Sequence, residues 1–309
     1  MKYYLIYFIQ SLLIVVLSPL FIGVLKKMKT TLRGSIGSSI LQPYYDLSKL
    51  LKKGRIISNR GSFITSIGPI VILSSTITTV FFIPVFYTSM KQSIGDMFIL
   101  MFAFGIVKMF TVLIGLDSSS TFGGMGSSRE SFISMMSEPI IFFLIIFLYI
   151  ETNDFNIFHI SFINSEILHY DTAHLIAMVT FVIAILAENA RIPFDNPETH
   201  LELTMMHEAM ILDLSGSDLA YVELSSYIKL IVYLIVLINC FIPIGIATTF
   251  TISALMIGLV SFIVKLLFCL LGIAIIETTF AKSRLFRGAE LFPAMISLGI
   301  VAITLIYIL

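Results

Sequence analysis

Charge is what this sequence has least of. Asp, Glu, Lys and Arg make up 12% of its 309 residues, against about 25% in ordinary soluble domains. With 58% hydrophobic residues and a mean hydropathy of +1.01, the chain has too few ionisable side chains to coat a soluble globule. Acids and bases cancel to a formal net charge of zero, which excludes a global basic field for nucleic acid and an acidic tail. Cysteine is nearly absent: Cys240 and Cys269 alone, each inside an apolar run. They make no disulfide framework and no zinc or haem-attachment spacing, and an iron–sulfur cluster usually needs four thiolates. Both read as small buried residues. Gly123-Gly124-Met125-Gly126 follows an apolar helix rather than a strand, so it is not a dinucleotide fingerprint. His200 and His207 would lie two helical turns apart, about 10 Å along the axis, too far to hold one ion together, and no metal site is expected.

Long apolar runs are what the sequence does have. A spanning helix needs about 20 mostly apolar residues, because the hydrocarbon core is about 30 Å thick. Segments near 3–25, 64–88, 95–116, 132–150, 172–187, 227–248, 251–278 and 291–309 qualify. The first is too long for a signal-peptide core, lacks a small-residue cleavage pattern, and reads as a retained helix. The fold class is therefore all-α, a polytopic membrane protein of about eight transmembrane helices, treated as one integral membrane domain over 1–309. Residues 26–60 hold nine bases against Asp46 alone, which by the positive-inside rule makes this loop cytoplasmic and both termini external. The same parity puts 117–131, 188–224 and 279–290 inside. Within the first inner loop, Tyr44, Leu47, Leu50 and Leu51 recur at helical spacing between Lys49, Lys52 and Lys53, with Pro43 at the opening. That pattern predicts an amphipathic helix lying on the lipid bilayer surface.

The stretch 188–224 carries eight acids against Arg191 alone, on the same side as the basic loop. Attraction between the two is the simplest expectation, and both can dock a soluble partner. Pro193 and Pro197 break the helix after Arg191, and non-helical backbone at that depth must be buried in protein or line a wet cavity. Glu198 and Glu202 would sit one turn apart on one face, close enough to disfavour simultaneous ionisation and so to suit proton exchange. A solvated acidic helix is the plainer reading of that face. Lys108, Glu138, Lys265 and Glu277 fall inside apolar spans, where an ionisable group costs several kcal/mol unless it meets a partner or water. Snorkelling to the interface is the alternative for each.

These charged stretches carry a resemblance. Ala187-Glu188-Asn189-Ala190-Arg191-Ile192-Pro193-Phe194-Asp195 resembles the "AETNRAPFD" signature of the respiratory complex I subunit 1 family. Arg129 followed nine residues later by Glu138 matches that family's "LR…SYE" spacing, and Leu41-Gln42-Pro43 with Asp46 and Lys49 resembles its "LLQPLADGIKLL" loop. The run from Thr199 to Met210 is similar to the "THLELTMxHEAM" run of membrane-bound NiFe hydrogenases, the hydrogenase-4 component C and formate hydrogenlyase membrane-subunit group. Ser128-Arg129-Glu130 and Asp213-Leu214-Ser215-Gly216 are similar to the same branch. The Gly-Pro pair of the complex I loop is absent, with Arg33-Gly34-Ser35-Ile36-Gly37 in its place.

The resemblance implies an anchor and coupling subunit in the cytoplasmic (inner) membrane. Glu138, Glu188, Arg191, Asp195, Glu198 and Glu202 would line a charged path toward antiporter-like membrane subunits. His207 and Glu208 belong to the hydrogenase-branch run, and Lys108, Lys265 and Glu277 join the path as intramembrane charges. Arg33, Asp46, Lys49, Arg129 and Glu130 are the expected docking residues for hydrogenase large and small subunits. No cofactor is expected in this chain; the NiFe centre and iron–sulfur clusters would sit in partners. Two other classes stay open: a quinone-site subunit of a NADH:quinone oxidoreductase, and a stand-alone ion transporter, although no second copy of the 188–208 pattern is found.

Overall fold

The computed structural model describes residues 2–56, 61–90, 95–166, 171–195, 205–281 and 291–308. In chain order its helices are α1 (Lys2–Leu32), α2 (Gln42–Lys52), α3 (Phe63–Phe81), α4 (Met97–Asp117), α5 (Thr121–Thr152), α6 (Ile157–Glu166), α7 (Thr172–Glu188), α8 (His207–Ile211), α9 (Gly216–Phe241), α10 (Ile252–Thr279) and α11 (Leu291–Ile308). The described residues contain no strand. By length and composition α1, α3, α4, α5, α9 and α10 can cross a membrane, while α7 and α11 are shorter apolar helices. Each of the eight expected spans is thus met by a helix, and the chain is a multi-pass membrane protein. Helix α9 forms the axis, with α1, α2, α3, α6, α7 and α10 packed against it.

The amphipathic segment forms α2, with proline in the first turn and Pro43 and Leu47 buried. A proline there sacrifices no intrahelical hydrogen bond. The Tyr44 hydroxyl donates to the Val16 carbonyl of α1 at 2.6 Å, so α2 is tied to the bundle as well as amphipathic.

Several ends differ from the hydropathy reading. Helix α5 starts at Thr121, eleven residues before the apolar run, because Ser120 caps it by accepting from the Gly123 N–H. The glycines there serve packing: a Cβ on Gly123 would collide with the Gly115 carbonyl oxygen, and one on Gly126 with that of Met206. Helix α3 stops at Phe81 rather than near 88. The buried segment that follows is extended, and its polar backbone is satisfied from inside the protein, as hydrocarbon requires. Gln10 Oε1 accepts from the N–H groups of Val85, Phe86 and Tyr87 at 3.1, 3.0 and 3.1 Å. Phe86 and Thr88 bond to Ala247, in a second extended stretch that follows Pro243 and ends α9 at Phe241 rather than near 248. Helix α6 was not expected from the sequence at all.

Candidate relay of buried charges

At one end of the bundle a cavity of about 720 Å³ opens between α1, α2, α4, α5, α9 and the segment after α7. Its inner wall is built around Glu188, the last residue of α7, which is 3% exposed. Lys108 Nζ of α4 lies 2.5 Å from Glu188 Oε1, and Ser137 of α5 donates to the same oxygen at 2.6 Å. Tyr233 of α9 donates to Oε2 at 3.1 Å. Lys229 of α9 donates to the Glu188 carbonyl at 2.7 Å and lies 3.8 Å from Oε2. Three helices, α4, α5 and α9, therefore converge on one carboxylate carried by α7. The apolar runs put these polar residues at the inner faces of helices, where partners replace the water each has lost.

A second buried carboxylate stands beside the first. Glu277 of α10 pairs with Lys29 of α1 at 2.8 Å and with Arg191 at 3.0 Å. Arg191 follows Glu188 by three residues, so the two groups form one row across the bundle. Asp195, 2% exposed, accepts from the backbone N–H of Met206 and of His207 and so fastens α8 to the segment leaving α7. Glu130 of α5 is 6% exposed and within electrostatic reach of Lys229 and Lys108, yet its Oε2 is buried with no hydrogen-bond partner. These clusters and their neighbours gather four bases (Lys29, Lys108, Arg191, Lys229) and four acids (Glu130, Glu188, Asp195, Glu277), all but Glu277 lining the cavity. The set is neutral when every member is ionised, and a proton on Glu130 gives it an excess positive charge.

The structure places the remaining expected residues as follows. His207 and Glu208 open α8 and line the cavity. Burial holds the His207 imidazole below the ordinary histidine range, against the opposing pull of Glu208. Asp46 and Lys49 of α2 line the cavity mouth, with Asp46 accepting from Gln42 at 2.9 Å. Arg33 is exposed. Arg129 is half-buried and reaches the Met205 carbonyl at 3.5 Å. Glu130, expected on the docking face, is in the cavity wall instead, because the early start of α5 turns it inward. Glu138 is exposed on α5, one residue beyond the inward-facing Ser137. Lys265 stands apart from the row and donates to the Ile242 carbonyl at 3.0 Å. Glu198 and Glu202 lie outside the described residues, as does His200. Among the described residues no group of three His, Cys, Asp or Glu side chains converges as a metal site would.

Lys29, Ser137, Lys229 and Tyr233 were missed. Lys229 did carry a signal, an ammonium only two residues inside the apolar run that begins at 227. Lys29 looked like a loop charge because α1 outlasts its apolar stretch by seven residues. Arg55 is paired with buried Asp218 at 2.6 Å, tying the first inner loop to the start of α9. The expected attraction between the basic and acidic stretches takes this form.

Ion pairs buried inside a helical bundle, beside a charged cavity, define a multi-pass membrane protein that holds ionised groups within its apolar interior. The chain belongs to the NADH dehydrogenase family, whose model matches residues 4–307. It is similar to formate hydrogenlyase subunit 4 of Escherichia coli (strain K12), with 29% identity over 282 residues and 90% of each chain covered. Hydrogenase-4 component C of the same organism is 27% identical over 278 residues, covering 89% of this chain and 87% of the relative. A NADH-quinone oxidoreductase component of Koribacter versatilis (strain Ellin345) is 28% identical over 182 residues, 53% of this chain and 42% of that one. Among solved structures, a chain of the membrane-bound sulfane sulfur reductase, an archaeal respiratory membrane complex, superposes with a TM-score of 0.77 at 18% identity. It covers 97% of this chain and 99% of its own, which shows the fold.

Proposed function

We propose that this chain is the membrane anchor and ion-translocation coupling subunit of a membrane-bound NiFe hydrogenase complex of the formate hydrogenlyase kind. The observation that carries the reading is the Glu188 cage, one carboxylate held by Lys108, Lys229, Ser137 and Tyr233 in the floor of the charged cavity. Redox chemistry takes place in docked hydrogenase large and small subunits, which hold the NiFe centre and the iron–sulfur clusters. The cavity end faces the cytoplasm, in keeping with its basic loop, and both termini face the other side.

Coupling is electrostatic. An electron arriving near the cavity raises the proton affinity of Glu130, an acid of the wall with an unpartnered oxygen. Glu130 then neutralises its own charge, Lys229 and Lys108 turn more fully to Glu188, and the balance along the row changes. By linkage, protonation in turn favours the reduced partner. Ser137 faces Glu188 from α5, and its neighbour Glu138 faces outward at the same depth, where it hands charge to an adjoining antiporter-like subunit. A carboxylate exposed there in hydrocarbon would cost several kcal/mol, which favours a protein neighbour over lipid.

Glu188→Gln and Glu138→Gln in the intact complex, assayed in vesicles, are expected to leave hydrogen evolution running while proton or sodium movement falls severalfold. Ion movement per hydrogen equal to wild type in both variants overturns the reading. Purification through a tag on this chain is expected to bring hydrogenase subunits with it, and quinone analogues are expected to leave the complex uninhibited.

A further inference from the structure

At the end of the bundle opposite the cavity, a second ionisable pair is buried that the relay does not use. His174 Nδ1 of α7 lies 2.8 Å from Glu151 Oε1 of α5, and the two side chains are 4% and 8% exposed. The other ring nitrogen, Nε2, lies 3.2 Å from the carbonyl oxygen of Phe241 at the end of α9. A carbonyl only accepts, so Nε2 carries a proton. Nδ1 and Oε1 then share one more proton, as imidazole with carboxylic acid or as imidazolium with carboxylate, and the pair is neutral either way. The remaining oxygen, Glu151 Oε2, is buried with no partner, an arrangement that a purely structural tie does not need. Ser161 Oγ and Asn164 Oδ1 of α6 are likewise buried and unpartnered, and Asn164 Nδ2 donates to the Cys240 carbonyl beside the one His174 uses. The titratable groups acting on the pair are exposed Asp171, one turn before His174, and the Cys240 thiol of α9.

Two helices join this pair to the relay. Helix α7 carries both His174 and Glu188, fourteen residues and about 21 Å apart. Helix α9 carries Tyr233, bonded to Glu188, and Phe241, bonded to His174. Between them lies a cavity of about 30 Å³ walled by Leu100, Leu144, Phe181, Tyr233, Val236 and Phe241. It has room for about two waters, but an apolar cavity of that kind stays dry and conducts only when it wets.

We propose that His174 and Glu151 form a proton-exchange site for the face opposite the charged cavity, joined to Glu188 through the small apolar cavity acting as a gate. The chain thereby holds a transmembrane proton route of its own, alongside the lateral one at Glu138. The inference rests on the reading of Glu188 as the hub. In each cycle the neutral pair takes one proton on Glu151 Oε2, becomes imidazolium with carboxylic acid, and releases one proton past Asp171 to water. No electron moves in that step.

Two measurements on the intact complex test it. In infrared pH titration, wild type is expected to show a deuterium-sensitive carboxylic-acid band that disappears in Glu151→Gln and shifts in His174→Gln. In vesicles, both variants are expected to lower proton movement per hydrogen at least twofold while hydrogen evolution continues. A complex with no such band in wild type, and with wild-type proton counts in both variants, overturns the site and leaves a structural tie. Glu188→Gln separates the two ideas. If it abolishes proton movement while the far-end variants change nothing, the hub stands and this site falls. If it changes nothing while the far-end variants lose protons, the hub falls and the link to Glu188 with it, while proton exchange at His174 and Glu151 keeps its support. Should the variants fold poorly, titration of the wild-type band still decides.

Discussion

Helices α9 and α10 are neighbours of similar length, and the more apolar of the two is the less buried. In α9, 83% of the most apolar 18-residue window is inside the protein; in α10 the share is 28%. Helix α9 buries Asp218, Lys229, Tyr233 and Asn239, whereas α10 turns Ile252, Met256, Ile257, Val260 and Phe268 outward. In water this ordering would be perverse, because burial there follows hydrophobicity. Against lipid no such drive exists, since the tails are as apolar as Leu, and helices associate through close packing and polar contacts. The more buried helix is the one with more polar side chains to bond, although α10 also buries Glu277 near its end.

If that is right, the largest effect should come from breaking a charge on α9. Lys229→Met removes one of the two bases from Glu188 and both of its contacts there. Truncating one partner of a buried pair costs about 3–5 kcal/mol, so unfolding in detergent should shift well below wild type and complex yield should drop. Adding Glu188→Gln to that variant should deepen the loss, because buried Lys108 then keeps its charge without the carboxylate it pairs with. A Lys229→Met protein as stable as wild type would break the comparison.

Next in size is packing on the same helix. Ile238 is 0% exposed, and Ile238→Ala should cost roughly 2 kcal/mol, mostly from lost contacts around a cavity, since lipid offers little transfer penalty. Denaturation by titrated detergent would read it. Smaller again is Tyr233→Phe, which keeps the ring and loses one hydrogen bond to Glu188 Oε2. About 1.5 kcal/mol is expected for a bond to a charged group, together with slower proton movement.

How far the sequence reveals this arrangement depends on what each residue's neighbours are. Span number and type were readable because long apolar runs have one solution in a bilayer. Lys108 and Glu277 were readable as charges that need partners, and the structure supplies Glu188, Lys29 and Arg191. The partners themselves were not, because Lys108 meets Glu188 across 80 residues and no local pattern encodes that meeting. Lys29 and Glu130 were misplaced for a related reason: their helices continue through polar sequence, which hydropathy reads as loop. Glu151 and His174 lay at the edges of two separate runs, and only the packing of α5 against α7 makes them a pair. Direction was the other gap. Ser137 and Glu138 are adjacent in sequence, but one faces Glu188 and the other the surface.

The smallest effect belongs to α10 and is the sharpest check on the comparison. Phe268 is 72% exposed, on a helix face that would meet lipid or a neighbouring subunit. In a soluble protein a large aromatic so placed would mark a liability, and its removal would help. Here Phe268→Ala exchanges one apolar surface for a smaller one, and in the isolated chain stability should move by less than about 0.5 kcal/mol. Leu266, two residues earlier and 0% exposed, turns inward, so Leu266→Ala should cost several times more by the same assay. Equal losses at the two positions would mean that transfer from water, rather than contact within the bundle, sets stability, and the inverted ordering of α9 and α10 would need another cause.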